Sequence, residues 1–143
     1  MYNEELKLSN QLCFSVYNLN RRLNKFYEKV LKNYELTFSQ YLVLLALWEE
    51  SPQTVKSLGE KLDLSSNTLT PLLKRLEVAG WIQRIKNKKF LEIHLTDKAK
   101  RHEKEICDKL ENSVQSIMDV QEYQRVRNEL IKIEQTLKNE FDL

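Results

Sequence analysis

The sequence predicts a mainly α-helical fold interrupted once by a short β-hairpin. Three observations carry this. Gly and Pro occur only twice each in 143 residues, so few positions break a helix. Apolar residues recur at spacings of three and four over most of the chain. Between Trp81 and Leu95 that period gives way to near-alternation, the period of a strand.

The elements follow in order. From about Glu5 to Lys32, Leu12, Val16, Leu19, Leu23, Phe26 and Val30 line one helical face. Polar Asn18, Arg21, Arg22, Lys25 and Lys29 lie between them. Thr37-Phe38-Ser39-Gln40 has the form of a capping box, with Thr37 at the helix start and Gln40 reaching back. The helix it opens is apolar nearly all round through Trp48, which predicts a buried central helix. Ser51-Pro52 breaks it. Thr54 caps a short helix with Val55, Leu58 and Leu62 on its inner face. Leu64-Ser65-Ser66-Asn67 supplies a turn and a cap. The next helix turns Leu69, Leu72, Leu73 and Leu76 inward, holds Pro71 near the end of its first turn and stops at Ala79-Gly80. Trp81–Ile85 and Phe90–Leu95 read as strands, with Lys86-Asn87-Lys88-Lys89 as the hairpin tip. Thr96-Asp97 restarts a helix that runs roughly to Met118. A last amphipathic helix spans about Glu122 to Phe141, with Val126, Leu130, Ile133 and Leu137 in near-heptad register. Trp48 and Trp81 are expected in the core.

The end helices are long and the middle is too small to cover them. A dimer in which they pack against their copies is the simplest remedy. One domain is expected over residues 1–143. Within it a helix-turn-helix lobe occupies about 37–97, and dimerisation helices about 5–33 and 97–141.

Charge locates the candidate site. The formal net charge is only +2, so any function carried by charge depends on clustering. From Lys74 to Lys89 there are six basic residues and one acid, Glu77. A polar-tipped helix, a Gly stop and a basic hairpin, in that order, make a winged helix-turn-helix, which reads duplex DNA. The helix turns Ser65, Ser66, Asn67, Thr68, Thr70, Lys74 and Arg75 outward. Asn pairs with adenine, Arg with guanine, and a Thr methyl meets a thymine methyl. Hydroxyls and the helix N-terminus suit phosphate. Arg84, Lys86, Lys88 and Lys89 on the hairpin suit phosphate or the minor groove.

Other classes find little support. No apolar run approaches a membrane span, and the acidic, polar N-terminal stretch has no basic segment of a secretory signal. Two widely spaced cysteines, Cys13 and Cys107, form neither a disulfide framework nor a zinc site, so a reducing cytoplasm is expected. His94 and His102 have no partners at ligand spacing, and no phosphate loop or nucleophile elbow occurs. No metal, cofactor or enzymatic activity is expected.

The segments Asn10–Phe14, Leu36–Leu45, Leu47–Glu49 and Thr68–Glu77 resemble the MarR family of bacterial regulators. Within it they look like the organic hydroperoxide resistance repressor (OhrR)/MgrA-like subgroup. The resemblance covers roughly residues 8 to 97. It implies a triangular dimer, with the first and last helices as base and two winged lobes reading a palindromic operator. It also implies that Cys13 senses organic peroxide or a related oxidant and that oxidation releases the DNA. Tyr17 lies one turn on, and Tyr27 matches a phenol that reaches the partner's sensor. Phe38 replaces the second such phenol, and Ser39 stands where Pro is usual. Some relatives close an inter-chain disulfide with a second cysteine after the wing. Cys107 falls in that region but about two turns early. Without such a partner, a low-molecular-weight thiol would cap the oxidised Cys13.

The chain also departs from the pattern. Leu64-Ser65-Ser66-Asn67 stands where relatives have Leu-Asp-Ser-Gly. The hairpin is about three residues shorter and lacks the acid-x-Arg wing motif. The recognition helix is therefore expected to read the bases and the wing to clamp phosphate. Two other readings remain open: a MarR-type regulator answering to a small aromatic ligand, with Cys13 structural, and a helical protein-interaction module without DNA binding.

Overall fold

The computed structural model describes residues 4–143, so the first three residues of the N-terminal stretch lie outside it. Six α-helices and three strands are described: α1 Leu12–Leu31, α2 Phe38–Glu49, β1 Gln53–Thr54, α3 Val55–Leu62, α4 Ser66–Val78, β2 Ile82–Lys86, β3 Leu91–Leu95, α5 Asp97–Gln115 and α6 Val120–Phe141. The fold is mainly helical with a small antiparallel sheet, a winged helix-turn-helix, as the sequence predicts. The chain divides into two compact units, one ending at Ile106 and one spanning Cys107–Leu143, so the division falls inside α5.

In the first unit, two 3₁₀ turns, Glu4–Leu6 and Leu8–Asn10, precede α1. The first helix therefore begins at Leu12 rather than near Glu5, because Gln11 is extended (φ −83°, ψ 127°). Helix α2 opens with the expected capping box: Thr37 Oγ1 accepts from Gln40 N at 3.2 Å, and Thr37 N donates to Gln40 Oε1 at 3.0 Å. Its Val43, Leu44 and Leu47 are buried at the centre of the unit. Leu58 of α3, Leu69, Leu73 and Leu76 of α4, and Trp81, Ile82 and Ile93 of the hairpin are buried as well. Removing each such aliphatic side chain from water contributes about 1.5–3 kcal/mol. Trp48 is only half-buried, and its Nε1 donates to the Ala99 carbonyl at 3.2 Å.

Strand β1 was not foreseen. Only two residues long, it pairs with β3 and sets the sheet order β1-β3-β2. Gln53 explains why the chain runs extended there. Its buried amide donates to the carbonyls of Ala46 and Glu50 at 2.9 and 2.6 Å, which ties off the end of α2. Its oxygen accepts from Ser57 Oγ at 2.9 Å.

Tyr34 donates to the Glu105 carboxylate at 2.5 Å. Its phenol is pushed up to about 12, first by burial and then by that carboxylate.

The second unit holds the end of α5 and all of α6. Asp119 caps α6 by accepting from Glu122 N at 2.8 Å. Leu130, Ile133 and Leu137 are exposed along α6. No helix among the described residues is long and apolar enough to cross a membrane.

Candidate nucleic-acid interface

Helix α4 is held at both ends. At its start Ser65 Oγ accepts from Thr68 N at 3.3 Å, so Ser65 is the cap. At its end Gly80 takes φ +86°, Gly80 N donates to Glu77 O, and Trp81 N donates to Leu76 O, each at 3.0 Å. These two bonds complete a Schellman motif and turn the chain into the hairpin. Lys98 reinforces the corner: its Nζ donates to Ala79 O at 2.9 Å and sits 4.5 Å from the Trp81 ring centroid.

Pro71 lies deeper than expected. With α4 starting at Ser66 it is the sixth helical residue, past the first turn. The Asn67 carbonyl thus has no N–H four residues on.

With Leu69, Leu72, Leu73 and Leu76 facing inward, Ser66, Asn67, Thr68, Lys74 and Arg75 stand exposed along the opposite edge, and Thr70 is half-buried. Ser65 is exposed, but its hydroxyl is already engaged at the cap.

The hairpin projects from the C-terminal end of α4. Strand β2 pairs with β3 from Ile82↔Leu95 to Lys86↔Leu91. Both strands start one residue later than the sequence suggests, because Trp81 belongs to the Schellman corner and Phe90 to the turn. Lys86, Lys88 and Lys89 are exposed. Arg84 is not free in the same way. Glu77 accepts from Arg84 N at 2.8 Å, from Nε at 3.2 Å and from Nη2 at 3.0 Å. This three-bond joint fixes the wing to the recognition helix. In the sequence Glu77 is only the one acid in a basic stretch. Its position seven residues before Arg84, across the Gly80 corner, was the available signal.

The side-chain hydrogen bond from Arg84, then the backbone one, hold the Glu77 carboxyl below its ordinary value. The folded value lies below the unfolded one. Its stabilising contribution is therefore present above the ordinary carboxylate range and is lost as pH falls through the lowered value. Exchange of the Arg84 amide is expected to speed up as pH drops below that range once intrinsic exchange is corrected for. Glu77→Gln is expected to remove this dependence. A wild-type protection factor that stays flat would show that the joint does not hold the wing.

Cys13 is exposed and is the second residue of α1, where the helix dipole is positive. Tyr17, one turn on, is exposed, with the Arg21 guanidinium 5.4 Å from its ring centroid. Tyr27 sits further along α1 among aromatic rings: Phe38 at 4.7 Å, Phe26 at 5.5 Å and Tyr41 at 6.1 Å between centroids. Phe38, the residue that replaces a phenol, thus packs on Tyr27. Cys107 is half-buried on α5 and opens the second unit. Among the described residues no group of three His, Cys, Asp or Glu is placed to hold a metal.

Comparison with known proteins points the same way. The MarR family matches residues 36–89. The HTH-type transcriptional regulator MgrA of Staphylococcus aureus is 45% identical over 101 residues, 68% of this chain and 69% of MgrA. TtmR of Methylorubrum extorquens, also an HTH-type transcriptional regulator, is 47% identical over 96 residues. That match covers 65% of this chain and 49% of TtmR, so the chain spans about half the length of that relative. Reduced AbfR bound to DNA is similar throughout, with 46% identity, a TM-score of 0.82, and coverage of 97% of this chain and 99% of AbfR. AbfR, from Staphylococcus epidermidis, has also been solved overoxidised on DNA and with a disulfide formed. With a matching lobe, a matching fold and these identities, the chain belongs to the MarR family of HTH-type transcriptional regulators, in its OhrR/MgrA-like subgroup.

Proposed function

We propose that the chain is a homodimeric repressor that binds a palindromic operator in duplex DNA and lets go when organic peroxide or a related oxidant oxidises Cys13. The observation that carries the DNA reading is the exposed polar edge of α4, with the Lys86, Lys88 and Lys89 wing locked beside it. Ser66, Asn67, Thr68, Thr70, Lys74 and Arg75 face the major groove, and the wing lysines neutralise phosphate. Arg84 acts through the wing's attachment. AbfR, similar over nearly its whole length, was solved on DNA, which supports the same partner here.

Dimerisation rests on uncovered apolar surface. Leu12, Val16, Leu19 and Leu23 of α1 are exposed, as are Leu130, Ile133 and Leu137 of α6. A second copy covers such faces.

Peroxide turns the Cys13 thiolate into a sulfenic acid and is itself reduced to the alcohol. The sulfenic acid then condenses with a thiol, and water leaves. That thiol is a small one from the cell or Cys107 of the partner. AbfR, a relative, has been solved with a disulfide formed, which supports a disulfide as an oxidised form here.

A gel shift on the DNA next to the protein's own gene, with and without cumene hydroperoxide, tests the whole reading. Salt titration tests its electrostatic part. The log–log slope is expected to run at roughly −0.9 per neutralised phosphate. Lys88→Ala is expected to reduce its magnitude by about 0.9 per protomer and to weaken all duplex sequences about equally. Absence of duplex binding at low salt would rule out a DNA role. Release by an aromatic acid but not by oxidant would select the small-ligand regulator.

A further inference from the structure

The tip of the wing carries an aromatic ring that the phosphate-clamp role does not use. Asn87 and Phe90 exchange both backbone hydrogen bonds, N to O at 2.8 Å and 3.1 Å. Lys88-Lys89 is therefore a two-residue turn, tightened by Asn87 Oδ1 accepting from Lys88 N at 2.8 Å. Side chains alternate along the hairpin. The face that packs inward carries Ile82 and Ile93, both buried. The opposite face carries the Gln83↔His94 pair, the Ile85↔Glu92 pair and, at the end, Asn87 and Phe90. On that outer face Phe90 is 62% exposed and Ile85 44% exposed. They are diagonal neighbours, so the wing ends in a small apolar strip directly beneath two lysines.

The surrounding charge selects the occupant. Lys88 and Lys89 form the turn above the strip, and Lys86 flanks it from the other face of the hairpin. The one acid on the strip's face, Glu92, is engaged by Asn87 Nδ2 at 3.0 Å, so the balance of charge favours a polyanion over a basic or neutral protein surface. On the other face of the hairpin the Glu77–Arg84 joint holds the wing beside α4. When a helix occupies the major groove, the wing next to it meets the adjoining minor groove. That groove is narrow, walled by sugars and lined with phosphate.

We propose that Phe90 is a DNA-reading residue: the wing tip enters the minor groove, the turn lysines hold its phosphates, and the Phe90 ring lies against the sugars and the groove floor. The inference rests on the DNA reading above and adds a source of specificity to it. In the minor groove the only feature that sets G·C apart from A·T is the guanine 2-amino donor. A phenyl ring has no acceptor for that donor and covers it from water, leaving it unsatisfied. Phe90 therefore favours A·T pairs under the wing.

The test uses a duplex that the wild-type dimer selects from a random-sequence pool. In the pairs flanking the α4 contacts, diaminopurine replaces adenine to add the 2-amino group, and inosine replaces guanine to remove it. Both changes leave the major-groove edges intact. Wild type is expected to lose about tenfold in affinity on the diaminopurine duplex, to lose as much when G·C pairs are placed at those positions, and to regain it when inosine replaces that guanine. Phe90→Ala is expected to bind the selected duplex about tenfold more weakly, to ignore both replacements and to keep the wild-type salt slope. Lys88→Ala should do the reverse, lowering the slope while keeping the discrimination. Because Phe90 is exposed, the alanine variant is expected to melt with wild type. If it does not, Phe90→Trp gives a second readout, since the new indole should be shielded from acrylamide in the complex. Phe90→Ala with unchanged affinity and discrimination, or an unshielded indole, would overturn the inference and leave the DNA reading standing. A wild type that selects no duplex would overturn both.

Discussion

Cys13→Ser is expected to bind duplex DNA as tightly as wild type and to stay bound when organic peroxide is added. The wild-type complex should instead dissociate. Taking a two-state binder from 99% to 1% competent needs about a 10⁴-fold change in relative affinity, so the loss of response should span orders of magnitude. The placement of Cys13 is the reason to expect so clean a separation. It is exposed in the first turn of α1, well apart in sequence from α4 and the wing, so serine there removes the reactive sulfur and disturbs no DNA-facing residue. Thiolate is the form that peroxide oxidises, and an exposed sulfur is open to it. Fluorescence anisotropy of a labelled operator, with and without cumene hydroperoxide, reads the result. If Cys13→Ser still dissociates on oxidation, Cys13 is not the sensor. Cys107→Ser separates the two chemical routes. If it also fails to release, or releases only with added small thiol, the inter-chain disulfide is the operating form.

Much of this fold is written in local signals. Thr37 and Gln40, Thr54, Ser65 and Gly80 each mark a helix boundary by a hydrogen bond or a backbone angle that only a few residue types supply. They were therefore readable without any tertiary knowledge. The exposure of the wing lysines is legible from their charge, but the tip is tighter than the four residues Lys86–Lys89 expected: Lys86 ends β2 and only Lys88-Lys89 make the turn. What escaped depends on partners distant in sequence. Strand β1 is two residues with no alternation to detect, and it exists because β3 offers a free edge and Gln53 caps α2. Arg84 looks like a DNA contact from its charge alone. Only the Gly80 corner brings it back to Glu77 and commits it to the protein. The apolar period continues upstream of Gln11 and suggests an earlier start for α1, while the extended backbone at Gln11 interrupts the helix there. Near-alternation assigns Phe90 to a strand, whereas the register puts it in the turn and on the outer face, where it is exposed.

Gly59→Val is expected to weaken both folding and DNA binding, because Gly59 is the point on which the helix-turn-helix closes. It lies inside α3, where glycine normally costs about 0.5–1 kcal/mol relative to alanine. The structure explains why that cost is accepted. The Gly59 carbonyl takes the N–H of Asp63, which is left-handed at φ 55°, and the N–H of Leu64 at 2.9 Å. The turn thereby folds back over the helix. A Cβ on Gly59 would stand 2.8 Å from the Leu64 carbonyl oxygen and 4.0 Å from Leu69 Cδ2. The first contact is with backbone and cannot be relieved by a side-chain rotation, so the turn itself must move. Leu58 and Leu69 are fully buried on either side of it, and overpacking at such a place costs about 1–3 kcal/mol. At this chain length each kcal/mol lowers the melting temperature by roughly 2–4 °C. The displaced turn runs straight into Ser65 and the N-terminal end of α4, which shifts Ser66, Asn67 and Thr68, the residues proposed to meet the base edges. Operator affinity should therefore fall by more than the change in folded fraction accounts for. Gly59→Ala separates the causes: it makes the same Cβ contact without the γ-methyls of valine and with better helix propensity than glycine, so it should be milder in both respects. If Gly59→Val melts with wild type and binds operator equally well, the turn has slack and does not set the position of the recognition helix.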